Sequence, residues 1–381
     1  MPPIVEGPVD YVNFHLANDR LLPCVQLGLY FFHIQDMSPF VVAIVGPSER
    51  MGPRQTLKVE VMSGNPDTAR DFLRRLRADL LRLNVYKGHV ISLSPGSLGM
   101  GPQTLVAFHT LPRIERQSVV LPEVLLARIE RQTFLFAEHA AELLAAGRSL
   151  KRGMLLYGPP GTGKTLTLMY LLGRMPGRTV LLATGLGVGL LQAVVQMART
   201  LAPSMVVIED VDLIAEERGM PYGRTGPLLF ELLNELDGLR DDCDVIFAMT
   251  TNRPDVLEPA LAARPGRVDI AIEYSLPDEA HRRRLLELYA QGLQEWDVDT
   301  AEVARKTEGA SPAYIKELVR RAAVIAATSG AGTEVNEEHV SAAIEELGEG
   351  GQLSQRFVGF HQPGQTSEPT HQAPGFPRHL R

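Results

Sequence analysis

The chain has 381 residues, 45% of them hydrophobic and 22% charged, which suits a soluble globular protein of two or three domains. A formal net charge of −7 and a pI near 5.9 argue against a protein whose main task is holding nucleic acid. No apolar run approaches roughly 18 residues, and no basic segment leads into an apolar one at the N-terminus. Neither a membrane-spanning helix nor a secretory leader is expected, and the expected location is cytoplasmic. Cys24 and Cys243 are far apart and read as buried thiols in a reducing compartment.

Residues 1–113 read as a separate α/β module. Four short β-rich runs, Phe40–Gly46, Thr56–Gly64, His89–Ser94 and Thr104–Thr110, lie within it. Between the second and third, Asn65 is placed to cap a helix, with Pro66 in its first turn and Asp67 near its positive end. Phe72, Leu73, Leu76, Leu80 and Leu83 form one stripe of that helix. Its arginines, Arg70, Arg74, Arg77 and Arg82, make either a solvated face or a docking face for an acidic partner.

A helical linker is expected over 114–150. Strand-like and helix-like patterns alternate over 151–275, the signature of a mostly parallel sheet with helices on its faces. Residues 276–347 read as helices only, starting near Asp278, Thr300, Pro312 and Asn336. From Gly348 the composition turns to Gly, Pro, Gln, Ser and His, and 348–381 is expected to be a disordered tail.

The sequence GPPGTGKTL carries the chemistry. Gly158, Gly163, Lys164 and Thr165 fit G-x-x-x-x-G-K-[ST], with a strand-like run before and a helix-like run after. Glycines let backbone N–H groups turn inward around phosphate oxygens, and the next helix points its N-terminus at the anion. Lys164 supplies charge at the β and γ phosphates of ATP, and the Thr165 hydroxyl is a ligand for Mg²⁺.

A P-loop needs an acidic strand end opposite Thr165 to hold the magnesium shell and orient the attacking water. Ser204–Asp210, about 45 residues beyond Lys164, supplies it with Glu209 and Asp210; Asp212 reads as a loop or helix-start residue. A third apolar strand ends in Thr251 and Asn252, with Asn252 either a strand-end cap or a contact for the γ-phosphate or water. Arg264 and Arg267 follow in a Pro/Gly-shaped turn that suits planar recognition of phosphate.

Together these residues resemble the AAA family of ATPases, over about 119–347. GPPGTGKT matches the family's P-loop, TTNRPDVLEPAL its sensor region, RPGRVD its arginine-finger turn and EGASPAYIKELVRRAA its lid helix. The resemblance implies a P-loop core followed by an all-helical lid. It implies ATP and Mg²⁺ as cofactors, with Gly158, Pro159, Pro160, Gly161, Thr162, Gly163, Lys164, Thr165, Leu166 and Ala313 around the nucleotide. It assigns Thr165, Glu209 and Asp210 to the metal, and Asn252, Arg264 and Arg267 to catalysis beside Lys164. It further implies a homo-oligomer, a hexameric ring, that remodels a protein substrate chosen by the N-terminal module, without membrane or nucleic acid. A protease-associated unfoldase and a slowly hydrolysing nucleotide-gated scaffold are the alternatives.

The chain departs from the family pattern in four places. The strand ends Glu–Asp, where the family has Asp–Glu. LLATGLGVGLLQAVVQMA holds no aromatic where ring unfoldases carry an aromatic–apolar–Gly loop; Val188 and Gly189 are its nearest equivalent. PALAARPGR is one residue longer than usual, leaving open which arginine reaches the next subunit. SPAY replaces Ser-Gly-Ala-Asp at the lid helix. The first two features are similar to those of the mitochondrial AAA translocase of a folded iron–sulfur (Rieske) protein. No H-E-x-x-H pattern occurs in the sequence.

Overall fold

The computed structural model describes residues 11–17, 20–34, 38–46, 57–95, 104–183, 188–212, 238, 243–255 and 268–349. Arg264, Arg267, residues 184–187 of the aromatic-free segment and the tail from 350 lie outside these. The chain forms two compact units. One runs to Gly158 and resumes from Lys164 to Glu273; the other takes Pro159–Gly163 and the chain from Tyr274 onward.

The first unit opens with two antiparallel sheets. β1 (Tyr11–His15) pairs with β2 (Leu21–Val25), and β4 (Phe40–Val45) lies between β3 (Leu27–Phe32) and β5 (Lys58–Ser63). Helix α1 (Pro66–Arg82) follows, with the Asn65 side chain accepting from the Asp67 N–H and Pro66 in its first turn. Its apolar stripe packs Phe72 against Phe32 and Phe40, ring centroids 5.9 and 5.2 Å away. On its exposed face Arg70, Arg74 and Arg82 each pair with an aspartate three residues earlier, Asp67, Asp71 and Asp79. Much of the basic character of that face is therefore neutralised within the helix.

β6 (Val90–Pro95) and β7 (Thr104–His109) form a hairpin. After it come α2 (Glu123–Arg131), α3 (Phe134–Glu138) and α4 (Ala140–Ala145). Then β8 (Arg152–Tyr157), α5 (Lys164–Gly173), β9 (Thr179–Leu182), α6 (Val188–Thr200), β10 (Ser204–Ile208), β11 (Val245–Thr251) and β12 (Ile270–Glu273) build the core. Val188 and Gly189 thus open helix α6.

The central sheet has seven strands in the order β12-β8-β11-β10-β9-β6-β7. All neighbouring pairs are parallel except β6–β7. The hairpin that sequence places in the N-terminal module is therefore the edge of the core sheet. Ile91 faces Leu181 in register, and both are buried in the same cluster as Val206, Ile208 and Phe247. An alternating pattern identifies a strand and its buried face, but not its neighbour, which is why residues up to 113 read as one module. Strands β10 and β11 are buried at every position, as a sheet covered on both faces requires.

Glu130 of α2 ties the linker to α5: it accepts from the Tyr170 hydroxyl at 2.6 Å and from Arg116 Nε at 2.8 Å. Arg178 and Asp244 form a second such tie, a bidentate pair at 2.8 and 2.9 Å beneath β10.

The second unit contains α7 (Glu279–Ala290), α8 (Thr300–Lys306), α9 (Pro312–Thr328) and α10 (Glu337–Glu349). Asp278, Asp299 and Ser311 cap the first three through their side chains. The expectation of helices alone is corrected by a short parallel pair, β13 (Glu295–Asp297) with β14 (Glu334–Asn336). Three-residue strands are too short to show a period. Among the described residues no helix is long and apolar enough to cross a membrane. Cys24 and Cys243 are free thiols, as expected, but each is only partly buried.

Candidate active site

The loop between β8 and α5 owes its shape to three glycines. Gly158, Gly161 and Gly163 have φ of 140°, 75° and 99°, where a side chain is strained. At Gly161 there is also no room: a Cβ would lie 2.9 Å from both Ala313 Cβ and Ser311 Oγ. The Ala313 N–H donates to Gly161 O at 3.1 Å, at the N-terminus of α9. Ser311 caps that helix and Pro312 occupies its first turn, so the departure at SPAY leaves the helix start well formed. Thr162 Oγ1 donates to Pro159 O at 2.8 Å, closing the turn.

In the first unit Lys164 opens α5 with its side chain only 6% exposed, and its Nζ donates to Gly158 O at 2.8 Å. Burial lowers its pKa to about 8, against the opposing pull of Asp210 and Asp212. Within this unit the N-terminus of α5 and a buried cation suit a phosphate group. Thr165 is exposed and Leu166 half-buried.

β11 lies between β8 and β10, so Asn252 emerges between the P-loop strand and the acidic strand. The two acids diverge. Glu209 Oε1 accepts from Thr165 Oγ1 at 2.7 Å. Asp210 Oδ1 accepts from Asn252 Nδ2 at 3.0 Å. The backbone explains the unusual order, for Asp210 has φ of 48° and its N–H donates to Thr250 Oγ1 at 3.0 Å. Aspartate visits this left-handed region more readily than most side chains. The hydroxyl of Thr165 and the carboxylate of Glu209 are hard oxygen donors side by side, the donor type that Mg²⁺ prefers.

Asp212, read from the sequence as a loop or helix-start residue, does stand at a helix start and is also a neighbour of the site. It is 6% exposed; its Oδ1 accepts from Thr251 Oγ1 at 2.7 Å and from the Asn252 N–H at 3.3 Å. The only signal in the sequence is a third acid two residues beyond a buried strand's acid pair. Among the described residues no cluster of His, Cys, Asp and Glu has the make-up of a metal cage.

Comparison with known proteins agrees with this architecture. Residues 154–276 match the family model described as "ATPase family associated with various cellular activities (AAA)", and residues 297–342 match the AAA+ lid domain. Over this P-loop core and helical lid the chain belongs to the AAA family of ATPases. Among its relatives is the ATP-dependent zinc metalloprotease FtsH 3 of Synechocystis sp., 32% identical over 292 residues, or 71% of this chain and 46% of that protein. Another is the ATP-dependent zinc metalloprotease FtsH of a Synechococcus strain, 30% identical over 70% of this chain and 43% of that protein. FtsH 1 of Sphaerobacter thermophilus, also named an ATP-dependent zinc metalloprotease, is 37% identical over 50% of this chain and 31% of that protein. The chain thus spans less than half the length of these relatives.

Proposed function

We propose that this chain is a Mg²⁺-dependent ATPase that couples hydrolysis to the remodelling or disassembly of a protein substrate, as a homo-oligomeric and hexameric ring. The observation that carries the reading is the divergence of the two strand-end acids, Glu209 to the P-loop threonine and Asp210 to Asn252. Bound ATP and Mg²⁺ would supply the phosphoanhydride to be cleaved and the cation that shields its charge. Lys164 and the loop N–H groups hold the phosphates. Thr165 and Glu209 hold and orient the metal's shell. The Asp210 carboxylate orients and polarises the attacking water, and Asn252 sets the direction of that carboxylate and reports the γ-phosphate. Arg264 or Arg267 completes the site of a neighbouring subunit, through a ring of heterologous contacts.

The N-terminal strands and α1 present the substrate-choosing surface in this reading, and the work is done in the cytoplasm without nucleic acid. The names of the relatives favour a second reading, an unfoldase working with a protease. The absence of an aromatic from residues 181–198 weighs against a ring that grips an extended chain. Steady-state ATPase activity, measured alone and with a permanently unfolded model protein, separates the two. Turnover that does not respond to the unfolded chain supports remodelling; strong stimulation with unfolding supports the second reading. No turnover with tight ATP binding leaves a nucleotide-gated scaffold.

A further inference from the structure

We propose that Asp212 is a positioning residue that fixes where the Asn252 amide meets Asp210, and thereby how well the site distinguishes a γ-phosphate from its absence. The proposal rests on Asn252 acting as the γ-phosphate reporter described above. Asp210 and Asn252 meet through one hydrogen bond of 3.0 Å between side chains. The backbone of each is held by a side chain from the other's strand end. The Asp210 N–H donates to Thr250 Oγ1, and the Asn252 N–H donates to Asp212 Oδ1.

The clamp on Asn252 involves both of its neighbours. The oxygen of Asp212 that receives the Asn252 N–H also receives the Thr251 hydroxyl at 2.7 Å, and that hydroxyl accepts from the Arg253 N–H at 2.9 Å. One buried carboxylate therefore orders three consecutive residues around the amide. A buried polar group is costly to disturb where a partner left behind is also buried, as Thr251 is here. Thr251 is fully buried, so water cannot readily replace Asp212 as its partner. Loss of Asp212 frees the backbone of Asn252; it also removes a pull on the Lys164 charge, an effect shared by both nucleotides that cancels in the ratio of their affinities.

The test uses the full chain and the ratio of two dissociation constants, for ADP and for a non-hydrolysable ATP analogue. Asn252→Ala should lower the preference for the analogue by about tenfold, the worth of a charge-assisted hydrogen bond. Asp212→Ala should lower it by a similar factor, leave ADP affinity within about twofold, and add little to Asn252→Ala in the double variant. Thr251→Val should lose about threefold and Thr251→Ser should recover it. An unchanged preference in Asp212→Ala, an equal loss for both nucleotides, or full additivity with Asn252→Ala overturns the proposal. If Asp212→Ala does not fold, equal preferences in Thr251→Val and Thr251→Ser overturn it instead. An Asn252→Ala chain with the wild-type preference overturns the reporter role itself, and this proposal with it.

Discussion

Thr165 and Glu209 are 44 residues apart in sequence, yet the threonine hydroxyl donates to the glutamate carboxylate at 2.7 Å. The hydrogen bond joins the first turn of α5 to the end of β10, the two places a magnesium shell would bridge. Glu209→Gln keeps an oxygen for that hydroxyl and removes the charge. The Mg²⁺ concentration needed for half-maximal nucleotide binding should rise by about tenfold or more, with little change in thermal stability. Titration with Mg²⁺ at fixed nucleotide measures it; an unchanged midpoint would detach Glu209 from the metal.

Asp210→Asn separates binding from chemistry. The variant has the same size and can keep a contact with Asn252 through its amide. ATP affinity should remain within a few-fold of wild type, while turnover falls by about two to four orders of magnitude, the usual contribution of a general base. Nucleotide binding by fluorescence and phosphate release on the same sample decide it. Near-normal turnover would remove Asp210 from the water-facing role.

Lys164 should make nucleotide affinity depend on pH. Burial has lowered its pKa from 10.5 to about 8, and phosphate charge favours the protonated form. The free site loses its cation above pH 8, so affinity should fall by up to about tenfold per pH unit from there, with proton uptake on binding. The same shift acts on stability with the opposite sign. The cost of the buried cation is fully present below pH 8 and is relieved between pH 8 and 10.5, where the unfolded chain holds more protons. Calorimetric titration at pH 8.5 in two buffers of different ionisation enthalpy measures the uptake. Equal apparent enthalpies would rule it out.

Gly161→Ala should injure the loop in two ways. Its φ of 75° disfavours any side chain, and the new methyl would meet Ala313 and Ser311 at 2.9 Å. Together these cost about 1–3 kcal/mol. Thermal unfolding without nucleotide should show the loss, and nucleotide affinity should drop by about tenfold or more. Pairing it with Ala313→Gly relieves the clash with Ala313 but neither the one with Ser311 nor the strain, so only partial recovery is expected.

Much of this site was legible because its chemistry is local in sequence. A P-loop needs Gly158, Gly163, Lys164 and Thr165 in consecutive order, and a fully buried strand ending in Glu209 and Asp210 announces itself by contrast. The purpose of the Glu–Asp order was not legible, since the left-handed backbone at Asp210 is a conformation and not a composition. What Asp212 holds was not legible, because its partner Thr251 is 39 residues away. Strands β1 to β3 were missed for a different reason. Pro23 and Gly28 interrupt β2 and β3, whose apolar residues run together without alternation, and β1 is only five residues long.

The hairpin at the sheet edge also governs how this chain could be cut and rejoined. A boundary drawn at residue 113 would strip β6 and β7 from β9, remove Ile91 from beside Leu181, and leave a raw parallel edge open to pairing with other chains. A chimera that exchanges substrate choice should instead carry its junction in Asn84–Gly88, after α1 and before β6, with the hairpin left on the ATPase side. The part of the N-terminal half that can be grafted as a cassette ends there, and every strand from β6 onward is inherited with the motor.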